Sequence, residues 1–199
     1  MISIDIGKVN TGFAIIMNKE TNKELIIGLL NITDCSINTT NESLKNDFEN
    51  EVKKLKLKKS ISVVIHRGII LKTFFDIVFD KFQISKVIIE RQSQYNPTAQ
   101  EIEYMITGIC LNRTNDIIIF NPINKFSYVN IKYDTKNKAH KKLSINIISK
   151  LLEKESNELN RIFFNNLNKK DDIADAIYMA YIINDKQIIQ NIVNEQFPH

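Results

Sequence analysis

Two carboxylates interrupt apolar strand patterns in this sequence. Asp5 lies between Ile4 and Ile6, and Glu90 follows an apolar run that ends at Ile89. Asp is depleted from β-strands, and an unpaired buried charge is costly. An edge strand with Asp5 facing outward would explain the first acid without a function, and exposure at a strand end would explain the second. The alternative is that both side chains take part in chemistry.

Two further carboxylates stand at the start of a predicted helix late in the chain. The run from Lys169 to Ile177 has apolar residues at helical spacing. Residues three apart share one face of a helix, so Asp172 and Asp175 project together. Asp171 lies off this face and is interpreted as an N-cap or first-turn acid that the helix dipole favours. An acid-rich helix start would explain this run alone, so a functional interpretation depends on the two strand acids.

Together, the four acids suggest one metal site. They are Asp5, Glu90, Asp172 and Asp175. Converging carboxylates repel one another and raise one another's pKa, so such a cluster is destabilising without a cation. Mg²⁺ prefers hard carboxylate oxygens and keeps waters or phosphate oxygens as its other ligands. Two such ions about 4 Å apart stabilise both the attacking water and the leaving oxygen of a phosphodiester. This hydrolysis needs no histidine or serine nucleophile, which fits a chain with three histidines.

The chain has a mild excess of positive charge. It contains 27 Lys and Arg against 23 Asp and Glu, which gives a net charge of +4 and an isoelectric point of about 8.9. This balance is compatible with a polyanionic partner such as nucleic acid. AT-rich codon usage, which enriches Ile, Asn and Lys, would produce the same excess without DNA binding. The charge alone therefore does not decide between the two explanations.

A basic segment from Lys125 to Lys142 contains six lysines and loses apolar periodicity. The candidates for contacts with DNA phosphates are Lys138, Lys141 and Lys142. The interleaved aromatic residues are Phe126, Tyr128 and Tyr133. These rings either stack on unpaired bases or pack in the core. We expect the segment to be mobile without DNA and to contain no core element; a solvated lysine surface is the alternative.

Length and composition predict one folded domain over residues 1–199. The hydrophobic fraction of 43% and charged fraction of 25% are typical of a globular protein. Cys35 and Cys110 are the only cysteines, which disfavours a structural zinc site or a disulfide framework and fits a reducing compartment. No apolar run approaches the roughly 20 residues that a membrane-spanning helix needs, and the first residues do not resemble a signal peptide. We therefore expect an intracellular protein.

The apolar patterns predict a mixed sheet flanked by helices. A hairpin over residues 2–17 is followed by a third antiparallel strand at 24–32, and further strands cover 87–90 and 116–120. Helices are predicted at 41–59, 71–82, 97–109, 143–153, 171–183 and 186–195. The segment 60–71 fits either a strand or a helix. Strands followed by alternating helices and strands indicate an α/β fold.

Three motifs resemble those of RuvC-like Holliday-junction resolvases, members of the RNase H-like superfamily. The spacing Asp5-x-Gly7-x-x-x-Thr11-Gly12-Phe13 is similar to their first strand and hairpin. Ile89-Glu90-Arg91-Gln92 resembles their second acidic strand, and Asp172-x-x-Asp175-Ala176 resembles their catalytic helix. Chain length, mild basicity and the Ile, Asn and Lys bias most resemble the poxvirus branch. Residues 41–71 match no motif of the family.

The resemblance implies an α/β, RNase H-like fold, with a mixed five-stranded sheet flanked by helices. It implies a homodimer that binds four-way DNA junctions and makes paired symmetric nicks with Mg²⁺, for which Mn²⁺ can substitute. The implied catalytic and metal-binding residues are Asp5, Glu90, Asp172 and Asp175. The implied role is viral DNA recombination and concatemer resolution in the host cytoplasm. We expect one of the helices 71–82 and 102–109 to form the dimer interface, because each has more apolar residues than contact with a sheet requires.

Other functions share part of these motifs. Asp-x-Gly followed by Thr-Gly also resembles the phosphate loop of actin-like and sugar-kinase ATPases, but those proteins need a second glycine-rich phosphate loop, and this chain has five glycines and no second Asp-x-Gly. A RuvC-like nuclease for RNA or another branched nucleic acid is a second alternative. A noncatalytic nucleic-acid-binding module is disfavoured, because bare carboxylates repel phosphate. The basic run Lys53–Lys59 either contacts DNA or forms a solvated helix face.

Overall fold

The computed structural model describes residues 1–7, 9–18, 23–56, 61–127, 137–155 and 157–196. The strands are β1 Ile2–Ile6, β2 Asn10–Asn18, β3 Lys23–Asn31, β4 Ser36–Thr39, β5 Lys86–Glu90 and β6 Asp116–Phe120. The helices are α1 Glu42–Lys54, α2 Val63–Phe82, α3 Pro97–Leu111, α4 Asn137–Lys154, α5 Glu158–Asn166 and α6 Asp171–Gln196, with a short 3-10 turn at Pro122–Asn124. No helix within the described ranges is long and apolar enough to cross a membrane.

The six strands form one mixed sheet in the order β4-β3-β2-β1-β5-β6. Strands β1 to β4 pair antiparallel, whereas β5 is parallel to both β1 and β6. The predicted α/β class and mixed sheet with flanking helices are therefore confirmed. The predicted number of five strands is one too low, because β4 was not expected. It has four residues, of which Ile37 and Thr39 are buried, so its pattern is too short to stand out in the sequence.

Helices cover both faces of the sheet. One apolar layer lies between the sheet and α1, α2 and α3, and the other between the sheet and α4, α5 and α6. Side chains alternate along a strand, so Ile2, Ile4 and Ile6 of β1 enter the first layer, and Ser3 and Asp5 face the side of α6. Because β1 is a central strand, the edge-strand explanation for Asp5 is wrong.

Cap residues mark where the helices α2 and α3 begin. The ambiguous segment 60–71 is helical from Val63, where the Ser62 hydroxyl accepts a hydrogen bond from the Ile65 N–H at 3.3 Å. Helix α3 begins with Pro97 after the cap residue Asn96, as predicted. The two helices predicted at 171–183 and 186–195 correspond to α6, which is interrupted by non-helical backbone at Asp185.

Candidate active site

Asp5 and Glu90 lie side by side where β1 and β5 end. These strands run parallel with Ile4 paired to Ile89, so the next residue of each stands at the same level. Asp5 is 7% exposed. Burial first, and then the charge and hydrogen bond of Glu90, raise the pKa of Asp5 well above its usual range. A negative charge on Asp5 is therefore unfavourable here unless a cation binds beside it.

Gly12 allows α6 to approach these acids. It is the partner of Asp5 in the β1–β2 ladder. A Cβ atom at Gly12 would overlap the carbonyl oxygen of Asp172 and lie 3.0 Å from the backbone nitrogen of Ile173. The first turn of α6 can pack directly on the sheet only because this side chain is missing. The absence of a side chain at Gly12 thus allows the acids of α6 to come close to Asp5 and Glu90.

Asp172 and Asp175 complete the cluster from one face of α6. Their side chains are 9% and 14% exposed. Both line a cleft of about 800 Å³ together with Asp5 and Glu90. Burial raises the pKa of Asp172, although the hydrogen bond and charge of Lys169 partly offset this effect. The structure therefore brings all four sequence-predicted acids to one place.

Three lysines neutralise acids of α6 in and beside this cleft. The ion pairs are Lys125–Asp175, Lys141–Asp171 and Lys169–Asp172. The Lys169 ammonium lies 2.8 Å from both carboxylate oxygens of Asp172. The Lys125 side chain is 6% exposed, and its Nζ lies 5.4 Å from the ring centroid of Tyr178. Lys125 is therefore a fixed cation, whereas Lys141 and Lys169 are more than half exposed and reach the acids from solvent.

Two of these lysines are missing from the sequence-predicted site. Lys169 lies three residues before Asp172, and this spacing could have indicated it. Lys125 belongs to the basic segment, but the sequence gives no sign that it reaches Asp175, which lies 50 positions later. Such a pair depends on how α6 docks after β6, which no local pattern specifies.

The donor atoms of the site fit Mg²⁺. Within the described ranges, no three His, Cys, Asp or Glu side chains are arranged closely enough to hold a metal ion as they stand. The cleft nevertheless presents oxygen donors from four carboxylates, and lysine ammonium groups currently balance the charge of Asp172 and Asp175. The raised pKa of Asp5 beside Glu90 is a second sign, because a bound cation would relieve the repulsion that opposes the charge of Asp5.

The predicted phosphate-binding lysines all fall on α4. Lys141 lines the acid cleft, and its hydrogen bond to Asp171 raises its pKa. Lys142 is exposed. Lys138 lies in the first turn of α4, but its side chain is outside the described residues. Helix α4 begins at Asn137, six residues earlier than predicted.

The expectation that the basic segment contains no core element is wrong for its first residues. Phe126 is 5% exposed and packs edge-to-face on Tyr178, with ring centroids 5.5 Å apart. The Tyr178 hydroxyl donates a hydrogen bond to the Lys125 carbonyl at 3.1 Å. Phe126 is therefore a core residue and not a base-stacking one. Tyr128 and Tyr133 lie outside the described residues, as does half of the segment whose mobility is predicted, residues 128–136.

Asp171 is a first-turn acid of α6, as predicted. It also has a partner that the sequence did not indicate, the Lys141 ammonium group. Burial alone would raise the pKa of Asp171, but the hydrogen bond and charge of Lys141, with the charge of Lys169, hold it below its usual value. Asp171 therefore links α4 to α6 beside the four-acid cluster.

Solved structures with this fold include junction resolvases. The yeast mitochondrial Holliday junction resolvase Ydc2 superimposes with a TM-score of 0.61 at 16% identity, over 98% of this chain and 83% of that chain. RuvC of Thermus thermophilus gives a TM-score of 0.50 at 12% identity, over 98% and 96% of the two chains. Fowlpox virus resolvase, solved with Holliday junction DNA, gives 0.48 at 22% identity, over 92% and 98%. The first two likenesses confirm the expected fold.

Sequence comparison identifies the family. No curated protein matches the chain. The model of the family described as Poxvirus A22 protein matches residues 1–185, which is most of the chain and includes all four acids. The match also agrees with the resemblance to the poxvirus branch that the acidic motifs and composition suggested. This chain therefore belongs to the Poxvirus A22 protein family.

Proposed function

We propose that this protein is a metal-dependent endodeoxyribonuclease that resolves four-way DNA junctions by paired symmetric nicks. The observation that carries the proposal is the meeting of Asp5, Glu90, Asp172 and Asp175 in one cleft, beside three lysines. The fold shared with two junction resolvases supports the substrate. We further propose that residues 1–199 act as one nuclease domain in viral DNA recombination and concatemer resolution, in the host cytoplasm.

The four acids are the proposed catalytic and metal-binding residues. Mg²⁺ held by them, or Mn²⁺ in its place, would supply an activated water and charge stabilisation at the scissile phosphate. Asp5 and Glu90 offer oxygens from the rigid sheet, and Asp172 and Asp175 offer theirs from α6. Lys169 and Lys141 are exposed enough to leave their carboxylates and contact phosphate oxygens. Lys125 is buried and stays beside Asp175, where it holds that carboxylate in a fixed direction.

One experiment separates this proposal from its alternatives. Labelled four-way junction, duplex, flap and RNA–DNA hybrid are incubated with the protein in Mg²⁺ and in EDTA. We expect paired nicks in the junction only with Mg²⁺. Preference for the hybrid or the flap would favour a nuclease for RNA or another branched substrate. Binding without cleavage would favour a noncatalytic module, and ATP binding in a calorimeter would favour an ATPase.

The lysines of α4 are proposed to bind phosphates. Each phosphate that a lysine neutralises releases a counterion, so the slope of log affinity against log salt is about −0.9 per contact on duplex DNA. Replacing Lys138, Lys141 and Lys142 with Ala should flatten that slope by up to about 3. If Lys141 acts at the scissile phosphate, its loss should reduce turnover more than affinity, since it lies in the acid cleft. Unchanged slope and turnover in the triple variant would contradict the prediction.

A twofold-symmetric homodimer is also proposed, because two equivalent sites are needed to nick two strands. The groove between α2 and α3 supports this proposal. It has a volume of about 640 Å³ and is lined by Gly68, Tyr104, Met105, Gly108 and Ile109 among others. The start of α2 also exposes three apolar residues, which are Val63, Val64 and Ile65.

The dimer is tested by light scattering at micromolar concentration. We expect twice the chain mass of 23.1 kDa. Replacing the exposed Ile65 and Tyr104 with Glu should lower the measured mass, because it places charge on the apolar surface. A monomer mass with and without junction DNA would refute the dimer.

A further inference from the structure

Glu103 is a charged residue on the buried face of α3. It follows Ala99 and precedes Ile106 and Cys110 at spacings of four, three and four, so it occupies a position of the apolar face. The residue is 7% exposed. A carboxylate in such a place is costly unless it makes strong hydrogen bonds. The position therefore requires a specific partner.

The partner of Glu103 is the loop that follows the second acidic strand. Its Oε2 atom accepts a hydrogen bond from the backbone N–H of Gln92 at 2.6 Å. A bond from an amide to a carboxylate is about twice as strong as one between neutral groups. Gln92 lies two residues after Glu90. The buried acid of α3 thus holds the chain just beyond a proposed metal-binding acid.

Glu90 lies directly before this loop. It is the last residue of β5 and is only partly buried. Beyond it, the Arg91 N–H donates to the Phe120 carbonyl at 2.8 Å, and the Gln92 side-chain amide donates to the Glu90 carbonyl at 3.1 Å. These two bonds fix the start of the loop. The hydrogen bond from Gln92 to Glu103 joins the loop to α3.

The loop residues 91–93 also lie between two clefts. Residues Arg91, Gln92 and Ser93 line the acid cleft on one side. On the other side they line a second cleft of about 660 Å³, to which Glu103 contributes. Pro122 and Ile123 line both clefts as well, so the loop forms one part of the border between them. Besides the bonds of Arg91 and Gln92, the Ser93 carbonyl accepts a hydrogen bond from the N–H of Asn96, the cap residue of α3, at 2.9 Å.

We propose that Glu103 is a positioning residue that fixes Glu90 through the Gln92 backbone. The inference rests on the proposed nuclease function, because Glu90 is taken to bind the catalytic metal. Glu103 does not itself contact metal or DNA. Its role is to hold the backbone of residues 91–93 in place, so that the Glu90 carboxylate stays directed toward Asp5 and the other acids of the cleft.

The test compares three variants. Glu103→Leu has similar size but no acceptor, whereas Glu103→Gln keeps a carbonyl oxygen that can accept from the Gln92 N–H. Thr107→Val is the matched control. Thr107 lies one turn further along α3, and its hydroxyl donates a hydrogen bond to the backbone carbonyl of Glu103 at 2.8 Å. The variant therefore changes the same part of α3 but leaves the bond from Gln92 to Glu103 in place. Each variant is measured for single-turnover junction cleavage, for Mn²⁺ affinity by electron paramagnetic resonance, for junction affinity in EDTA and for hydrogen exchange of the Gln92 amide.

We expect Glu103→Leu to lower the cleavage rate and Mn²⁺ affinity by about 10- to 100-fold, as for other groups that orient a metal ligand. Junction affinity in EDTA should stay unchanged, and the Gln92 amide should exchange faster. Glu103→Gln should remain within about threefold of wild type, and Thr107→Val should cleave normally. A Leu variant with wild-type rate and Mn²⁺ affinity, or a Gln variant as slow as the Leu variant, would overturn the proposal.

Two further measurements keep the outcomes separate. If Glu103→Leu does not fold by circular dichroism, Glu103→Asp replaces it, because it keeps the charge but shortens the reach. If Glu103→Asp cleaves the junction slowly while Glu103→Gln cleaves it at the wild-type rate, the proposal is supported. If Glu103→Asp cleaves it at the wild-type rate, the proposal is overturned. If the wild-type protein binds Mn²⁺ but cuts none of the substrates, the proposed function fails. The positioning role is then decided by Mn²⁺ affinity and Gln92 exchange alone.

Discussion

Asp5→Asn is expected to abolish junction cleavage and to stabilise the metal-free protein. The variant loses a proposed metal ligand at the centre of the cluster, and a rate decrease of about 10³-fold or more corresponds to a barrier increase of about 4 kcal/mol. It also removes a buried charge that Glu90, Asp172 and Asp175 repel. Junction affinity should be retained, since the loss of a negative charge reduces repulsion of phosphate.

The stabilisation has a defined pH dependence. The pKa of Asp5 is raised in the folded protein by burial and by the neighbouring acids, and it returns to its ordinary value on unfolding. Between these two pKa values the folded chain holds a proton that the unfolded chain has lost. The free energy of unfolding therefore decreases as pH rises through this range. Asp5→Asn should lose this contribution, so its stability should fall less steeply with pH in metal-free buffer.

Chemical denaturation between pH 4 and 8, with and without Mg²⁺, measures both effects. Mg²⁺ should stabilise the wild type more than the variant, because a ligand stabilises only the state that binds it. Asp171→Asn is the matched control, since Asp171 pairs with Lys141 and not with the strand acids. It should cut the junction at a rate much nearer to that of wild type. Cleavage by Asp5→Asn at the wild-type rate would show that Asp5 is not a metal ligand.

Gly12→Ala is expected to have the second-largest effect, through one added methyl group. The new Cβ atom would overlap the Asp172 carbonyl oxygen. The Gly12 backbone cannot move away from α6, because it pairs with Asp5 of β1 on one side and with Leu29 of β3 on the other. The first turn of α6 must therefore move away from the sheet. We expect a loss of about 1–3 kcal/mol in stability and a reduction of cleavage by about 10²-fold or more.

The control for Gly12 is the same change where space is open. A Cβ atom at Gly108 in α3 meets no atom within 4 Å among the described residues of one chain, although Gly108 lines the groove proposed for the dimer. Gly108→Ala should keep or slightly increase stability, because Ala favours a helix by up to about 1 kcal/mol. Cleavage and thermal melting are compared for the two variants, with light scattering to follow the dimer. Equal activity in both would mean that close packing of α6 on β2 is not needed for the site.

The four acids could be proposed from the sequence because they occur in combination, on two apolar strands and one face of a helix. A charge inside an apolar strand and an acid pair on an apolar helix are visible without knowing the fold. The partners of these acids could not be found in the same way. Lys125 reaches Asp175 only after α6 has docked, and Glu103 looks like any charged residue on a helix until its apolar-face spacing is noticed.

The fold was predictable where patterns are long and regular. Helix α5 was not expected, because Leu159 and Ile162 are exposed and blur its buried face. The short β4 gave too few residues for an alternation to be recognised. In contrast, the break in α6 at Asp185 agreed with the predicted division of that helix. It lies where Lys23 of β3 pairs with Asp185 at 2.8 Å, a contact between distant parts of the chain.

The position of α6 late in the chain also determines when the proposed active site is complete. Among the described elements, β1 precedes the others and pairs locally with β2, but the cluster also needs β5 and then α6, the last of them. Contacts of such large sequence separation form slowly and depend on the whole intervening chain. A partly synthesised or truncated chain that ends before α6 therefore holds Asp5 and Glu90 without Asp172 and Asp175. Such a fragment would lack two of the four proposed metal-binding acids, so we expect it to bind no catalytic metal and to cut no DNA.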